Sequence, residues 1–348
     1  MGRRFEPVWA HSLGIFLEGG LEMSKAPISI TRIYDDSKWD SLVQSSREAN
    51  PFLMSPFLKS VGKSNSRAVI VEEGKAVLGA CNFESIEGEP ESKNGINLYQ
   101  GVFFPEIKDS NYQDDNERLR LLGAYVASLD VSGMPLELSF HPKVKDIRAV
   151  DWHYYENSES NLEAKQRIQY TGQVQLANYN GYNEYLKSIR KVRLDELKRS
   201  YHLDLKVVQG SDRIDQFMEL YKLTFSRQAI SISDSHIKQV EQIIKGSNFA
   251  FAGSLDMVYS RSGTPLSGIF ILSDKNTDIY LFGATDPQYR KEFGSTRLIL
   301  DAIKRSFETE KLIFDFCGMN SPKRGEFKSS FNARVVPYFE LELVTKNT

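Results

Sequence analysis

"DIYLFGATDPQYRKEFGSTRLILDAIKRSF" (Asp278–Phe307) is the stretch whose reading decides the fold. It opens on alternating apolar residues, the pattern of a strand. It turns through Ala284-Thr285-Asp286-Pro287 and the charged Arg290-Lys291-Glu292. After Phe293-Gly294-Ser295-Thr296 the apolar residues recur at helical spacing. The segment therefore reads as strand, turn and long helix. Unpaired backbone N–H groups and the helix dipole at such a start favour an anion. Gly294 would let a phosphate approach the backbone, and Arg290 and Lys291 add positive charge. The same residues also fit an ordinary Ser/Thr N-cap with a glycine in the turn.

Just downstream, "KLIFDFCG" reads as a short apolar strand that stops at Cys317-Gly318. Lys323, Arg324 and Lys328 follow, set between phenylalanines. Charges placed just past a strand end read either as a cationic lip for phosphate or carboxylate, or as a solvated loop. Asp315 lies at the carboxyl end of that strand between Phe314 and Phe316. It fits a carboxylate that takes a proton, or a buried structural partner.

Working outward, "IQYTGQVQL" reads as a strand and "YNEYLKSIRKVRLDELKRSY" as one cationic amphipathic helix. A strand, two helices and an antiparallel meander over "FAFAGSLDMVYSRSGTPLSGIFILSDKNTDIYLFGAT" complete this half, with "VVPYFELELV" closing it. The first half repeats the order. "PISITRIYD" is a strand, "SKWDSLVQSS" and "PFLMSPFLKSVGKS" are helices, and "RAVIVEEGKAVLGACNFESI" is a hairpin around Glu73-Gly74. "GINLYQGVFFPEI" reads as another strand, "DDNERLRLLGAYVASLDVSG" as a helix and "PLELSFHP" as a strand. Such repetition implies a duplicated α+β domain. The polar run "ENSESNLEAKQR" sets the divide, so the expected domains are residues 27–164 and 165–348, after a lead-in of residues 1–26 that carries no chemistry.

Composition bounds the function. The 348 residues are 41% apolar and 26% charged, enough for two cores. The net charge of −2 argues against a dedicated nucleic-acid binder while leaving room for a local basic groove. Two distant cysteines, Cys81 and Cys317, form no disulfide framework, which fits a cytosolic setting. The five histidines show no metal spacing, so no metal is expected. No segment reaches the ~20 apolar residues of a membrane span, so no integral membrane contact is expected.

"DPQYRKEFGSTRLIL" resembles the acyl-CoA loop of Gcn5-related N-acetyltransferases (GNAT). The family's Arg/Gln-x-x-Gly-x-Gly/Ala is loosened: Gly294 stands four residues after Arg290, and Thr296 replaces the second small residue. "IFDFCGMNSPKRGEFKSSFNARVVPYFELEL" is similar to the closing segment of FemAB-type peptidyltransferases and of the cellulose-biosynthesis-type acetyltransferases. The carriers are the Phe-Asp-Phe strand, Gly318 and Phe327-Lys328-x-x-Phe331.

The resemblance implies two tandem GNAT-like domains, each a mostly antiparallel sheet flanked by helices, with the donor held by the second and the acceptor in a cleft between the two. It implies acyl transfer to an amine of a small-molecule acceptor, plausibly a nucleotide-linked sugar or cell-envelope precursor. Acyl-CoA is the expected co-substrate, with aminoacyl-tRNA as the alternative donor and no permanently bound cofactor. Phe282, Gly283, Ala284, Arg290, Gly294, Ser295 and Thr296 would bind the donor. Tyr280, Tyr289, Ser321 and Arg324 would line the substrate site, and Lys328 and Asp315 would serve the chemistry. Many acetyltransferases place an acidic tyrosine after this strand; Met319 and Ser321 stand there instead. Cys317, Ser321, Tyr289 and Tyr280 are the residues left for that part. The departure also fits a non-catalytic binding or scaffold protein of the same fold.

Overall fold

The computed structural model describes residues 28–61, 65–83, 96, 98–107, 110–132, 136–226 and 231–346. The expected lead-in lies outside these residues. Contacts divide the chain into two compact units. The first holds Met1–Ser55, Lys63–Ile168 and Tyr338–Thr348, and the second holds Pro56–Gly62 and Gln169–Pro337.

In the first unit β1 (Ser29–Arg32) leads to α1 (Asp36–Ser45). Asp35 starts that helix by accepting from the backbone N–H of Ser37 at 2.9 Å and Lys38 at 3.1 Å. Between α1 and the next strand lies the short α2 (Ser55–Ser60). A hairpin follows: β2 (Asn65–Glu72) and β3 (Lys75–Phe83) turn at Glu73 and Gly74, both with positive φ. Strand β4 (Val102–Phe103) completes a sheet in the order β1-β2-β3-β4. The long strand expected over "GINLYQGVFFPEI" shrinks to those two residues. Tyr99 and Glu106 take positive φ on either side, and Pro105 has no N–H to give a ladder. Helix α3 (Tyr112–Ser132), strand β5 (Leu136–Ser139) and helix α4 (Arg148–Glu156) follow. Their core gathers Leu78, Val102, Leu122, Val126, Leu138 and Val150. At its edge Glu48, fully buried, meets Arg118 at 2.8 Å and accepts from the Phe104 N–H at 3.2 Å.

Strand β6 (Leu162–Gln175) runs through the polar stretch in which the sequence sets the divide, and starts earlier than the strand read over "IQYTGQVQL". From Leu162 its side chains alternate, with Ala164 and Gln166 half-buried and Glu163, Lys165 and Arg167 exposed. The strand was hidden because its half-buried face is itself partly polar. The cationic segment expected as one helix is two, α5 (Tyr182–Ser188) and α6 (Lys191–His202). Ile189 turns extended and inward, and the Arg190 N–H donates to the Ser330 carbonyl at 3.0 Å.

The remaining elements are β7 (Lys206–Gln209), α7 (Ile214–Ser226), α8 (Asp234–Gly246), β8 (Gly253–Tyr259), β9 (Pro265–Ser273) and β10 (Thr277–Thr285). After them come α9 (Gly294–Glu308), β11 (Ile313–Gly318), α10 (Pro322–Ser329) and β12 (Arg334–Thr345). The larger sheet runs β5-β12-β6-β11-β10-β9-β8-β7. The fold class is α+β, two sheets with flanking helices, consistent with tandem GNAT-like domains. Helix α9 drives Leu298, Ile299, Leu300 and Ile303 into the second core, each worth about 1.5–3 kcal/mol of burial. The basic run after β11 is a helix, not a loop. Ser321-Pro322 supplies its start, and Gly325 lies so close to Met319 that a Cβ would sit 2.9 Å from the Met319 carbonyl oxygen.

Candidate active site

Strands β10 and β11 pair in parallel only from Thr277–Ile279 to Ile313–Asp315. Beyond that point β10 stays with β9 as far as Thr285, with a register shift between Tyr280 and Phe282. Strand β11 turns away: its pairing with β6 slips between Asp315 and Gly318, and Cys317 takes φ +56°. The two strands therefore splay, leaving the β11-facing edge of β10 without a strand neighbour from Tyr280 onward.

Asp315 lies at the fork. Its buried carboxylate accepts from Thr171 Oγ1 at 2.5 Å, Gln173 Nε2 at 2.9 Å and the Cys317 N–H at 2.7 Å. Those bonds hold a left-handed backbone that a cysteine otherwise resists by about 1–2 kcal/mol. Lys328 sits across from it. Phe327 and Phe331 pack edge to face at 5.2 Å, and the Lys328 stem is buried with them. Its Nζ donates to the Gly318 carbonyl at 2.7 Å and reaches the Cys317 carbonyl at 3.4 Å. Burial lowers its pKa to about 8, and Arg324 pushes the same way while Cys317 and Asp315 oppose. Lys328 is buried, so the solvated reading of the basic run does not describe it, whereas Lys323 and Arg324 are exposed.

Tyr280 occupies the mouth of the fork. Its hydroxyl lies in the notch left by Gly283, where a Cβ would come within 1.8 Å of the phenol oxygen. Its ring is 6.0 Å from Lys328 Nζ and edge-on to Phe316 at 6.1 Å. Burial pushes its pKa up to about 12, so the phenol keeps its proton at neutral pH. Phe282 and Ala284 are buried along the same edge. Arg324 Nε donates to Ser321 Oγ at 3.1 Å.

The second group surrounds the start of α9. Phe293 is its N-cap in left-handed conformation, and its side chain caps none of the first N–H groups of the helix. Arg290 and Lys291 are exposed, and Tyr289 packs at the core's margin. Packing gives Gly294 a further reason to be glycine, beside the donor approach expected of it. A Cβ there would meet Val258 Cγ1 at 2.7 Å and Ser267 Oγ at 3.1 Å, so the helix start lies flush on the sheet. Ser295 is half-buried beside it. The Thr296 hydroxyl donates to Glu196 at 2.6 Å and accepts from Arg193 at 3.1 Å, so it braces α6. Arg193 also lies over the rings of Phe327 at 4.9 Å and Phe331 at 5.6 Å. The structure thus joins Tyr280, Gly283, Asp315 and Lys328 at the fork and Arg290, Gly294, Ser295 and Thr296 at the helix start.

A family model described as an acetyltransferase (GNAT) domain matches residues 184–329. Among solved structures the chain is similar to FemX at 12% identity, with a TM-score of 0.66 over 90% of this chain and 96% of that one. Over residues 184–329 the chain matches a GNAT domain, and its fold is like that of FemX. A tandem GNAT protein from the clavulanic acid biosynthesis pathway is similar at 6% identity and TM-score 0.53, covering 92% of this chain and 99% of that one. L-PGS from Bacillus licheniformis is similar at 8% identity and TM-score 0.52, covering 92% and 93%. No curated protein matches. Identities this low speak for fold alone. A GNAT/FemAB-like fold is consistent with acyl or aminoacyl transfer.

Sequence reasoning missed Thr171 and Gln173, and it read Arg193 only as part of a cationic helix face, not as a partner of Thr296. Their partners lie about 100 residues or more away along the chain, as |i−j| of 144 for Thr171–Asp315 and 103 for Arg193–Thr296 show. It also passed over His236, which bonds Tyr221 on a neighbouring helix. Among the described residues no helix is long and apolar enough to cross a membrane.

Proposed function

We propose that this chain is a FemAB-type aminoacyltransferase, moving an aminoacyl group from aminoacyl-tRNA to an amine of a small acceptor. The observation that carries this reading is the exposed basic and aromatic face around the start of α9. Arg199 lies over the Phe293 ring at 5.8 Å, and Arg297, its charge paired with Asp301 at 2.7 Å, backs the exposed Tyr201 ring at 4.0 Å. Lys191 and Lys198, seven residues apart on one face of α6, add exposed charge at a spacing of about 10 Å. With Arg290 and Lys291 this is more cation than one compact diphosphate needs, and the interleaved rings suit nucleotide stacking. The likeness to FemX supports the same reading.

At the fork, the protonated Tyr280 hydroxyl would give its proton to the departing ribose oxygen. Lys328 would offset the negative charge that builds on the reacting carbonyl, by way of the backbone it braces or directly. Asp315 would keep the fork open by holding Cys317 in place. The acceptor, by family analogy, would be an amine on a cell-envelope precursor. A second reading, acyl-CoA as donor, is favoured by the match to the acetyltransferase domain and by the first N–H groups of α9, which the Phe293 side chain does not cap.

One variant separates the donors: Lys191→Glu, Lys198→Glu and Arg199→Glu together. On the tRNA reading its binding of alanyl-tRNA collapses, and the slope of log affinity against log salt falls by roughly 2–3. Acetyl-CoA turnover that survives in this variant, alongside unchanged tRNA binding, would decide for acyl-CoA. Binding of neither donor by the wild-type protein would remove the acyl-transfer reading.

A further inference from the structure

A buried titratable pair on the α7–α8 side of β10 has no part in the scheme above. Tyr221, 5% exposed, and His236 join through the phenol oxygen and Nε2 at 3.1 Å. Their rings stack at 6.1 Å with an interplanar angle of 13°. Tyr221 also meets Phe282 edge to face at 6.0 Å, so it stands against the strand that lines the fork. Helix α7 is pinned there: the Thr285 N–H donates to Thr224 Oγ1 at 3.1 Å. Arg324, from the helix that carries Lys328, is the charged group whose field reaches Tyr221. His236 is half-buried near the start of α8, so it links the buried phenol to solvent.

We infer that Tyr221 and His236 form a proton relay that turns the acceptor's ammonium into the neutral amine that attacks. The phenol oxygen takes a proton from the ammonium as its own proton passes to His236 Nε2. The resulting imidazolium then releases a proton to solvent. The neutral amine forms the new C–N bond, and the donor oxygen or sulfur leaves with the proton supplied at the fork. Two features suit the pair to this direction of transfer. Burial lowers the His236 pKa, so the imidazole is neutral and ready to accept at neutral pH. A free phenol in the same place is a poor base, and only the bonded imidazole makes it a proton conduit. The inference rests on the acyl-transfer reading and holds for either donor.

The test compares two acceptors with full-length protein, using whichever of alanyl-tRNA and acetyl-CoA the wild type turns over. Nα-acetyl-lysine amide presents an ammonium at neutral pH, whereas methoxyamine is already neutral there. His236→Gln keeps a hydrogen-bonding side chain but cannot carry the proton, and Tyr221→Phe removes only the hydroxyl. Both variants should lose about 10²-fold or more in kcat with the lysine acceptor. Both should keep wild-type kcat with methoxyamine and wild-type KM for the donor. An equal loss with both acceptors, or no loss with either, would overturn the relay and leave an aromatic support for β10. A Tyr221→Phe protein that fails to fold shifts the decision to His236→Gln, where the same acceptor comparison applies. Wild-type protein that binds neither alanyl-tRNA nor acetyl-CoA would sink the acyl-transfer reading and this inference with it, a result seen before any variant is made.

Discussion

In the first unit the buried Glu48 carboxylate meets a guanidinium at 2.8 Å; in the second the buried Lys328 ammonium rests on two peptide carbonyls. The first arrangement joins opposite charges, with Arg118 also over the Phe104 ring at 5.0 Å. Its effect is to lock α3 against the segment that follows α1. The second leaves the ammonium's charge only partly compensated, and its pKa falls to about 8. Backbone conformation differs in step. The hairpin turn of the first unit uses positive φ at Glu73-Gly74 simply to reverse direction. The second unit spends a left-handed cysteine and a buried carboxylate on prising two strands apart. A buried ion pair is costly to break because it leaves one charge behind; a buried charge held near its titration point is suited to chemistry.

The largest effect that tests this contrast is expected at Glu48. Glu48→Gln leaves Arg118 buried without its counter-charge and should cost about 3–5 kcal/mol in denaturant unfolding. Turnover per folded molecule should not change. A fall in turnover at unchanged stability would erase the distinction between the units.

Lys328→Met comes next. Removing this donor should lower kcat by about 10²–10³-fold, with Lys328→Arg restoring only part, because the guanidinium differs in shape and hydration. Stability carries a second readout. The folded pKa of about 8 lies below the ordinary lysine value of 10.5. Between those values the unfolded chain holds a proton that the native one has released, so wild-type stability rises with pH across that window. The methionine variant should lack that rise. Parallel unfolding curves for the two proteins from pH 8 to 10 would mean that Lys328 titrates as an exposed lysine does.

The smallest effect is expected at Gly294. Gly294→Ala puts a methyl against Val258 and Ser267 and should cost about 1–3 kcal/mol. A midpoint of unfolding that does not move would mean that the helix start lifts off the sheet at little cost, leaving the glycine only its role in donor approach.

Much of this was legible before the coordinates. The strand, turn and helix of residues 278–307 follow from periodicity, and Asp315 was recognisable as buried from its phenylalanine neighbours. Lys328 was legible as a motif position, but its burial was not, because only the fold shows that the Cys317 and Gly318 carbonyls receive it. The break between α5 and α6 rests on the bond from Arg190 to Ser330, far along the chain, and no local signal announces it. Helix α10 carries a start signal in Ser321-Pro322, but the charged run behind it reads equally as a lip or a loop. The relay pair left no trace in spacing, since Tyr221 and His236 sit on separate helices and meet only when these align.

The division of the chain into units also sets an order of events during synthesis. Residues 338–348 belong with the first unit although the whole of residues 169–337 is translated before them. Strand β5 pairs with β12, Leu138 opposite Leu341, so this strand waits with an open edge while the ribosome makes everything between. The second unit can mature during that wait, whereas the first, begun earlier, is completed later. Closing so long a span costs little more than closing a shorter one, because the entropy of closure grows only with the logarithm of its length. For the nascent chain the unit that starts first is the unit that finishes last.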